Sequence, residues 1–281
     1  YMDAVILLNK PAGMTSFDAV AKCRKIFHER KIGHTGTLDP EASGLMIILL
    51  GKYTKLLPYC VKNHKAYQAT LKLGEMTDTE DIWGTVIATK IPSIHTSEEI
   101  EKAVQSLTGD ILQVPPMYSA LKKDGKKLYE YARQGIEIER EARPVHISSL
   151  KVEKIDEINY RMDAVVSSGT YIRTLIRDFG KQLNELAIMS SLIRTRIEHL
   201  SLENACNFED LEAGKGFLSP IQVIDPSYKF VETDQVTNIK NGKRIKLDIT
   251  DPQVIFTSNG ELLAAYALQE DGLYHCLRGL F

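Results

Sequence analysis

Cysteine is scarce: Cys23, Cys60, Cys206 and Cys276 lie far apart in 281 residues, and no C-x-x-C pair exists. That spacing supports neither a zinc site nor a thioredoxin-like motif, and a reduced, cytoplasmic protein is expected. Long apolar runs are missing too. The longest, Leu45 to Leu50, is fenced by Gly44 and Gly51, whereas a membrane-spanning helix needs about 20 residues. Acidic Asp3 precedes Val5-Ile6-Leu7-Leu8, so a signal peptide is not expected. There is no excess of one charge: 35 Lys and Arg against 37 Asp and Glu leave −2. A wholesale basic glove for nucleic acid is excluded, but a local patch is not. Internal repeats and low-complexity tracts are absent.

What is present is an ordinary globular balance, 43% hydrophobic and 26% charged, long enough for one large domain or two unequal ones. Ala4 to Leu8 and Leu45 to Leu50 read as buried strands, and Tyr67 to Leu73 alternates like a half-solvated one. Thr15 and Asp18 form a capping box. The helix it opens is expected to present Phe17, Val20, Ala21, Arg24 and Phe27 as one stripe. Val145 to Ile155 and Tyr160 to Val166 read as strands joined by a polar turn, and Tyr171 to Leu186 as a helix. Without a strict βαβ rhythm, the class is α+β.

The even total conceals a basic N-terminal third. Lys22, Arg24, Lys25, Lys52, Lys55 and Lys62 fall there, while Glu75 to Asp81 holds four acids and no base. An anionic partner would dock on the former; solvation of helix faces is the plain alternative. A boundary is expected near Asp225-Pro226-Ser227, giving domains 1–226 and 227–281. In the second, Asn259-Gly260 between apolar runs signals a hairpin.

The most informative stretch is Gly33-His34-Thr35-Gly36-Thr37-Leu38-Asp39-Pro40-Glu41-Ala42-Ser43-Gly44. Three glycines and small polar residues describe a tight loop that a ligand can approach closely. No Gly-Lys-Ser/Thr follows, so a Walker A loop is excluded. Asp39 is restricted by Pro40; from the pattern alone it is either a turn former or a functional carboxylate. Taken singly, Tyr67 also fits a core-edge tyrosine, Arg173 a surface ion pair and His34 a loop donor.

Order narrows these alternatives. Leu8-Asn9-Lys10-Pro11-Ala12-Gly13-Met14-Thr15-Ser16 precedes the loop. Lys65-Ala66-Tyr67, Gln113-Val114-Pro115-Pro116-Met117-Tyr118-Ser119-Ala120-Leu121-Lys122 and Ser167-Ser168-Gly169-Thr170-Tyr171-Ile172-Arg173-Thr174-Leu175 follow it. From about Val5 to Arg196 this closely resembles the TruB family of tRNA pseudouridine synthases, and the C-terminal segment more weakly resembles a PUA-type RNA-binding module. The resemblance implies a catalytic domain on a mixed, largely antiparallel sheet with flanking helices, followed by a small, mostly β module. It implies isomerisation of uridine 55 in the tRNA T-loop, on the T-arm as partner, without a metal, a cofactor, a membrane or an obligatory protein partner, by a monomer. It places the catalytic aspartate on Asp39, the active-site tyrosine on Tyr67 and the aspartate's arginine partner on Arg173. The RNA-contacting histidine falls on His34, and further substrate contacts on Tyr171 and Leu192. The sequence departs at Leu192-Ile193-Arg194-Thr195, where the family usually has two adjacent arginines and Ile193 replaces the first.

The chemistry suits these types. A carboxylate serves as nucleophile or base when ionised, and an arginine beside it favours that form. A tyrosine offers a flat face and a phenol. Two other classes remain at this point: a non-catalytic RNA-binding protein, and a guide-RNA-dependent synthase working in a ribonucleoprotein.

Overall fold

The computed structural model describes residues 2–281, which pack as two compact units. One comprises the chain up to Pro40, then Gly44–Lys62 and Leu200–Phe281; the other comprises Glu41–Ser43 and Asn63–His199.

In the first unit, β1 (Ala4–Lys10) leads to α1 (Ser16–Phe27), then to β2 (Ile32–Thr35) and β3 (Ser43–Leu50). β1 and β2 both pair antiparallel with β3. Almost every residue of β1 and β3 is buried, on both faces, which explains why they read as unbroken apolar runs. The Thr15–Asp18 capping box opens α1 as expected. The buried stripe is Ser16, Ala19, Val20 and Cys23, however, and Phe17 is 72% exposed. The i, i+3, i+4, i+7 spacing fits two adjacent frames, and the frame that buries small residues won.

The second unit is a one-sided sheet. It contains β4 (His64–Leu73), the hairpin of β5 (Glu75–Thr77) and β6 (Val86–Thr89), α2 (Ser97–Ser106) and β7 (Gly109–Gln113). A small lysine-rich hairpin of β8 (Lys122–Lys123) and β9 (Lys126–Lys127) runs into α3 (Leu128–Arg133). Then come β10 (Arg143–Lys154), β11 (Asn159–Ser167), α4 (Ile172–Gln182) and β12 (Ala187–Ile197). The order β12-β4-β11-β10-β7 is antiparallel throughout. One face carries Ala69, Leu71, Met162, Ala164 and Met189, against Leu175, Ile176 and Phe179 of α4 and Val104 of α2. The helix expected to run to Leu186 stops at Gln182, because Asn184 turns the chain at φ 56°.

The rest of the first unit includes β13 (Leu200–Ser201), α5 (Phe208–Glu212) and β14 (Phe217–Leu218), which pairs with β1. Next come β15 (Lys229–Glu232), α6 (Val236–Lys240), β16 (Gln253–Ser258), β17 (Glu261–Leu268) and β18 (Tyr274–Gly279). β15 joins β16 in parallel, and β16-β17-β18 is antiparallel. These elements have their own core around Ile239, Val254, Phe256 and Tyr266. Asn259 and Gly260 turn the predicted hairpin, both at positive φ, as a two-residue turn between twisted strands requires. The architecture is α+β; of the pairs named above, β15 with β16 is parallel and the others are antiparallel. Among the described residues, no helix is long and apolar enough to cross a membrane.

Candidate active site

Asp39 follows β2 in the first unit, exposed, between a buried Leu38 and Pro40. Its neighbours are clamped by the segment after β1. The Leu38 N–H donates to Ser16 Oγ at 2.9 Å, and Ser16 Oγ donates to the Leu38 carbonyl at 3.0 Å. On the other side, the Pro40 carbonyl accepts from the Gly13 N–H at 2.9 Å and from Lys10 Nζ at 3.3 Å. Lys10 is wholly buried, and its ammonium also donates to the carbonyls of Pro11 and Met14, at 2.8 and 2.7 Å. A buried ammonium has to be satisfied by several acceptors, and here the acceptors are two strands of loop. The two sequence strings around Lys10 and Asp39 are thus one structure: the first holds the second on both sides of the carboxylate. Gly13 adopts φ 90° to bring its N–H to Pro40, a conformation glycine takes without strain. His34 sits at the same loop's start, half-buried and opposite Ile48 of β3.

Three lysines of the basic third also meet aromatic rings within this unit. Lys22 lies over Phe208, Lys52 over Tyr53 and Lys55 over Phe281, where Lys55 Nζ donates to the Phe281 carbonyl. Their stems are packed while their charge stays at the surface.

The remaining predicted residues belong to the second unit. Tyr67 lies on β4, flanked in register by Ala164 of β11 and Arg194 of β12. Leu192 is opposite Ala69, and both Tyr67 and Leu192 lean on the core that includes Ile172. Tyr171 caps the start of α4. Both of its backbone polar groups are taken by the Gln113 side chain: Nε2 donates to the Tyr171 carbonyl at 3.2 Å, and Oε1 accepts from its N–H at 3.0 Å. Gln113 is buried, and it opens the Gln113-Val114-Pro115-Pro116 string, so that string fixes the helix start.

At the second residue of α4, the buried guanidinium of Arg173 donates to the carbonyls of Thr79, at 3.1 Å, and Tyr118, at 2.8 Å. One turn further, Arg177 pairs with Glu80 and donates to the Val114 carbonyl at 3.1 Å. Two arginines at i and i+4 therefore hold the 79–80 and 114–118 segments against one helix face.

Lys10, Ser16 and Arg194 were not singled out from sequence. Arg194 is 1% exposed and donates to the Tyr67 phenol oxygen; burial pushes its pKa down, opposed by that phenol. Burial, together with the neighbouring Arg194 charge, lowers Lys65 to about 8. The signal that was available is alternation: Lys65, Tyr67 and Ala69 share a face of β4, and Leu192 and Arg194 share the matching face of β12.

Residues 24–172 match the N-terminal domain of TruB family pseudouridylate synthases. The chain is 39% identical over 280 residues to tRNA pseudouridine synthase B of Oceanobacillus iheyensis, covering 94% of this chain and 92% of that one. It is 49% identical over 211 residues to the protein of the same name from Clostridium perfringens, covering 75% and 72%. A solved chain from a Cbf5-Nop10-Gar1 complex superposes with a TM-score of 0.71 at 24% identity, over 99% of this chain and 85% of that one; at that identity the likeness speaks for the fold. Fold, motif placement and relatives agree, and the chain belongs to the TruB family of pseudouridylate synthases, which makes it an isomerase.

Proposed function

We propose that this protein converts uridine 55 in the T-loop of tRNA to pseudouridine, with Asp39 as the reacting carboxylate. tRNA pseudouridylation is supported by relatives named tRNA pseudouridine synthase B. The observation that carries the assignment of Asp39 is the clamp: Ser16, Gly13 and Lys10 fix the residues on either side while the carboxylate itself stays exposed.

In the reaction the bond from ribose C1′ to N1 of the base breaks, the base turns, and C1′ joins C5. N1 gains a proton, C5 loses one, and no electrons are exchanged. Asp39 acts as nucleophile or base. Tyr67 offers its ring to the uracil and its phenol to the travelling proton. Arg173 favours the ionised aspartate. The target uracil must first leave the T-loop stack, at a cost of a few kcal/mol; His34 fills the gap it leaves, and Tyr171 and Leu192 line its new position. The protein works in the cytoplasm as a monomer, without a guide RNA. The module from residue 227 is PUA-like and adds RNA affinity rather than chemistry.

The test is to incubate the purified chain with an unmodified tRNA transcript and map pseudouridine. Modification confined to the T-loop uridine is the expected result. Its absence there, with the protein folded and the RNA bound, would overturn the reading.

A further inference from the structure

The departure at Ile193 and Arg194 lies on a strand where alternation decides which side chain meets the site. Ile193 is opposite Gln68, on the face away from Tyr67, whereas Arg194 is opposite Tyr67 itself. The residue that departs from the family's pattern is therefore not the one beside the tyrosine. Arg194 is among the largest fully buried side chains of the protein, and a guanidinium there needs fixed partners. One is the Tyr67 phenol oxygen. On the tyrosine's other flank stands Ala164, with only a methyl group. Lys65, two residues earlier on the same face, has Val166 and Ile197 at its flanks, so of the four residues paired across from Lys65 and Tyr67 only Arg194 is polar. A planar, rigid fork on one flank and a minimal side chain on the other leave the ring one direction to point and one side open.

We propose that Arg194 is a positioning residue for the reaction: its buried guanidinium, cross-strand from Tyr67, holds the phenol in the single orientation that meets the uracil ring. The proposal rests on the reading of Tyr67 as an active-site tyrosine, and its test separates the two.

The chain is labelled with 3-fluorotyrosine, and the Tyr67 resonance is assigned by its loss in Tyr67→Phe. Single-turnover rates on bound tRNA and affinities are measured for Arg194→Met, Arg194→Lys and Tyr67→Phe. Arg194→Met should slow turnover about 100-fold, leave affinity within about 3-fold and displace the Tyr67 resonance while the other tyrosines stay put. Arg194→Lys, which keeps the charge without the fork, should recover about one-tenth of the wild-type rate. If Arg194→Met does not fold, as shown by the other resonances, Arg194→Lys alone decides: a displaced Tyr67 signal with slowed turnover supports the proposal. An unmoved Tyr67 resonance, or normal turnover with a displaced one, would overturn it. Normal turnover by Tyr67→Phe would instead remove the tyrosine from the reaction, and Arg194's role with it.

Discussion

β3 and β4 are both central strands, yet they are built in opposite ways. β3 is apolar from Gly44 to Leu50 and buried throughout, whereas β4 buries alternate residues, Ala69, Leu71 and Leu73, and leaves Gln68, Thr70 and Lys72 partly in water. A strand with two buried faces has no position to spare for a reactive side chain. In the first unit, the carboxylate proposed to react is accordingly on the loop before β3, and a buried lysine and a serine hold the residues on either side of it. On β4 the polar groups lie instead on the core-bearing face, beyond the end of the apolar run: Lys65 and Tyr67 continue the face of Ala69 and Leu71, with Arg194 across the ladder on β12, and no loop has to be immobilised.

This contrast can be broken by substitution. The largest stability effects belong to β3, where neighbours should be equally sensitive. Ile47→Ala and Ile48→Ala should each cost about 2–5 kcal/mol, because both side chains leave cavities. On β4, Leu71→Ala should cost as much, but Lys72→Ala less than about 1 kcal/mol, since Lys72 is joined only to Glu75 by a partly exposed ion pair. Urea midpoints at constant m-value read all four; a cheap Ile47→Ala or Ile48→Ala would show that one face of β3 is not sealed.

Ser16→Ala should cost about 1–3 kcal/mol, as it strands the buried N–H and carbonyl of Leu38. It should also slow turnover on bound tRNA about 10-fold by loosening the loop. Unchanged turnover would detach the clamp from function.

A pH dependence on β4 separates the two strands in a different way. The folded protein holds Lys65 at about 8, against 10.5 ordinarily, chiefly because burial disfavours its charge. Between those values the unfolded chain binds the proton and the folded one does not, so stability rises with pH across the window: below about pH 8 the folded chain bears the full cost of the buried charge, and above 10.5 it bears none. Lys65→Met should thus stabilise the protein at pH 7, with the gain shrinking as pH rises through that window. A gain independent of pH, in urea melts of the two proteins side by side, would contradict a perturbed lysine.

Much of this was legible in the residues. The buried run of β3, the alternation of β4, the Thr15–Asp18 cap and the Asn259-Gly260 turn each depend on near neighbours in the chain, so local pattern reveals them. The stripe of α1 was misjudged by one residue, because a helix of small residues fits either frame and only tertiary packing selects one. Lys10 and Arg194 were illegible for a different reason. A charged residue scores as surface in any hydropathy pattern, and the groups that make its burial tolerable do not show in that pattern: the backbone carbonyls of Pro11, Met14 and the distant Pro40 for Lys10, and the phenol of Tyr67 for Arg194. The resemblance supplied roles for His34, Asp39, Tyr67, Tyr171, Arg173 and Leu192, but not the reason that the strings flanking them exist. The structure supplies that for two of them: the Lys10 segment clamps the Asp39 loop, and Gln113 pins Tyr171.

The central claim is that the clamped loop exists to present the Asp39 carboxylate. Its most direct test is Asp39→Asn, which keeps size and hydrogen-bonding capacity but removes the anion. Folding is checked first, and single-turnover pseudouridine formation is then measured at saturating tRNA beside a binding titration. No detectable product with affinity within about 3-fold of wild type is the predicted result, since RNA affinity comes mainly from phosphate contacts and base stacking. Near-normal product formation would contradict the account and return the Gly33 to Gly44 loop to a structural role.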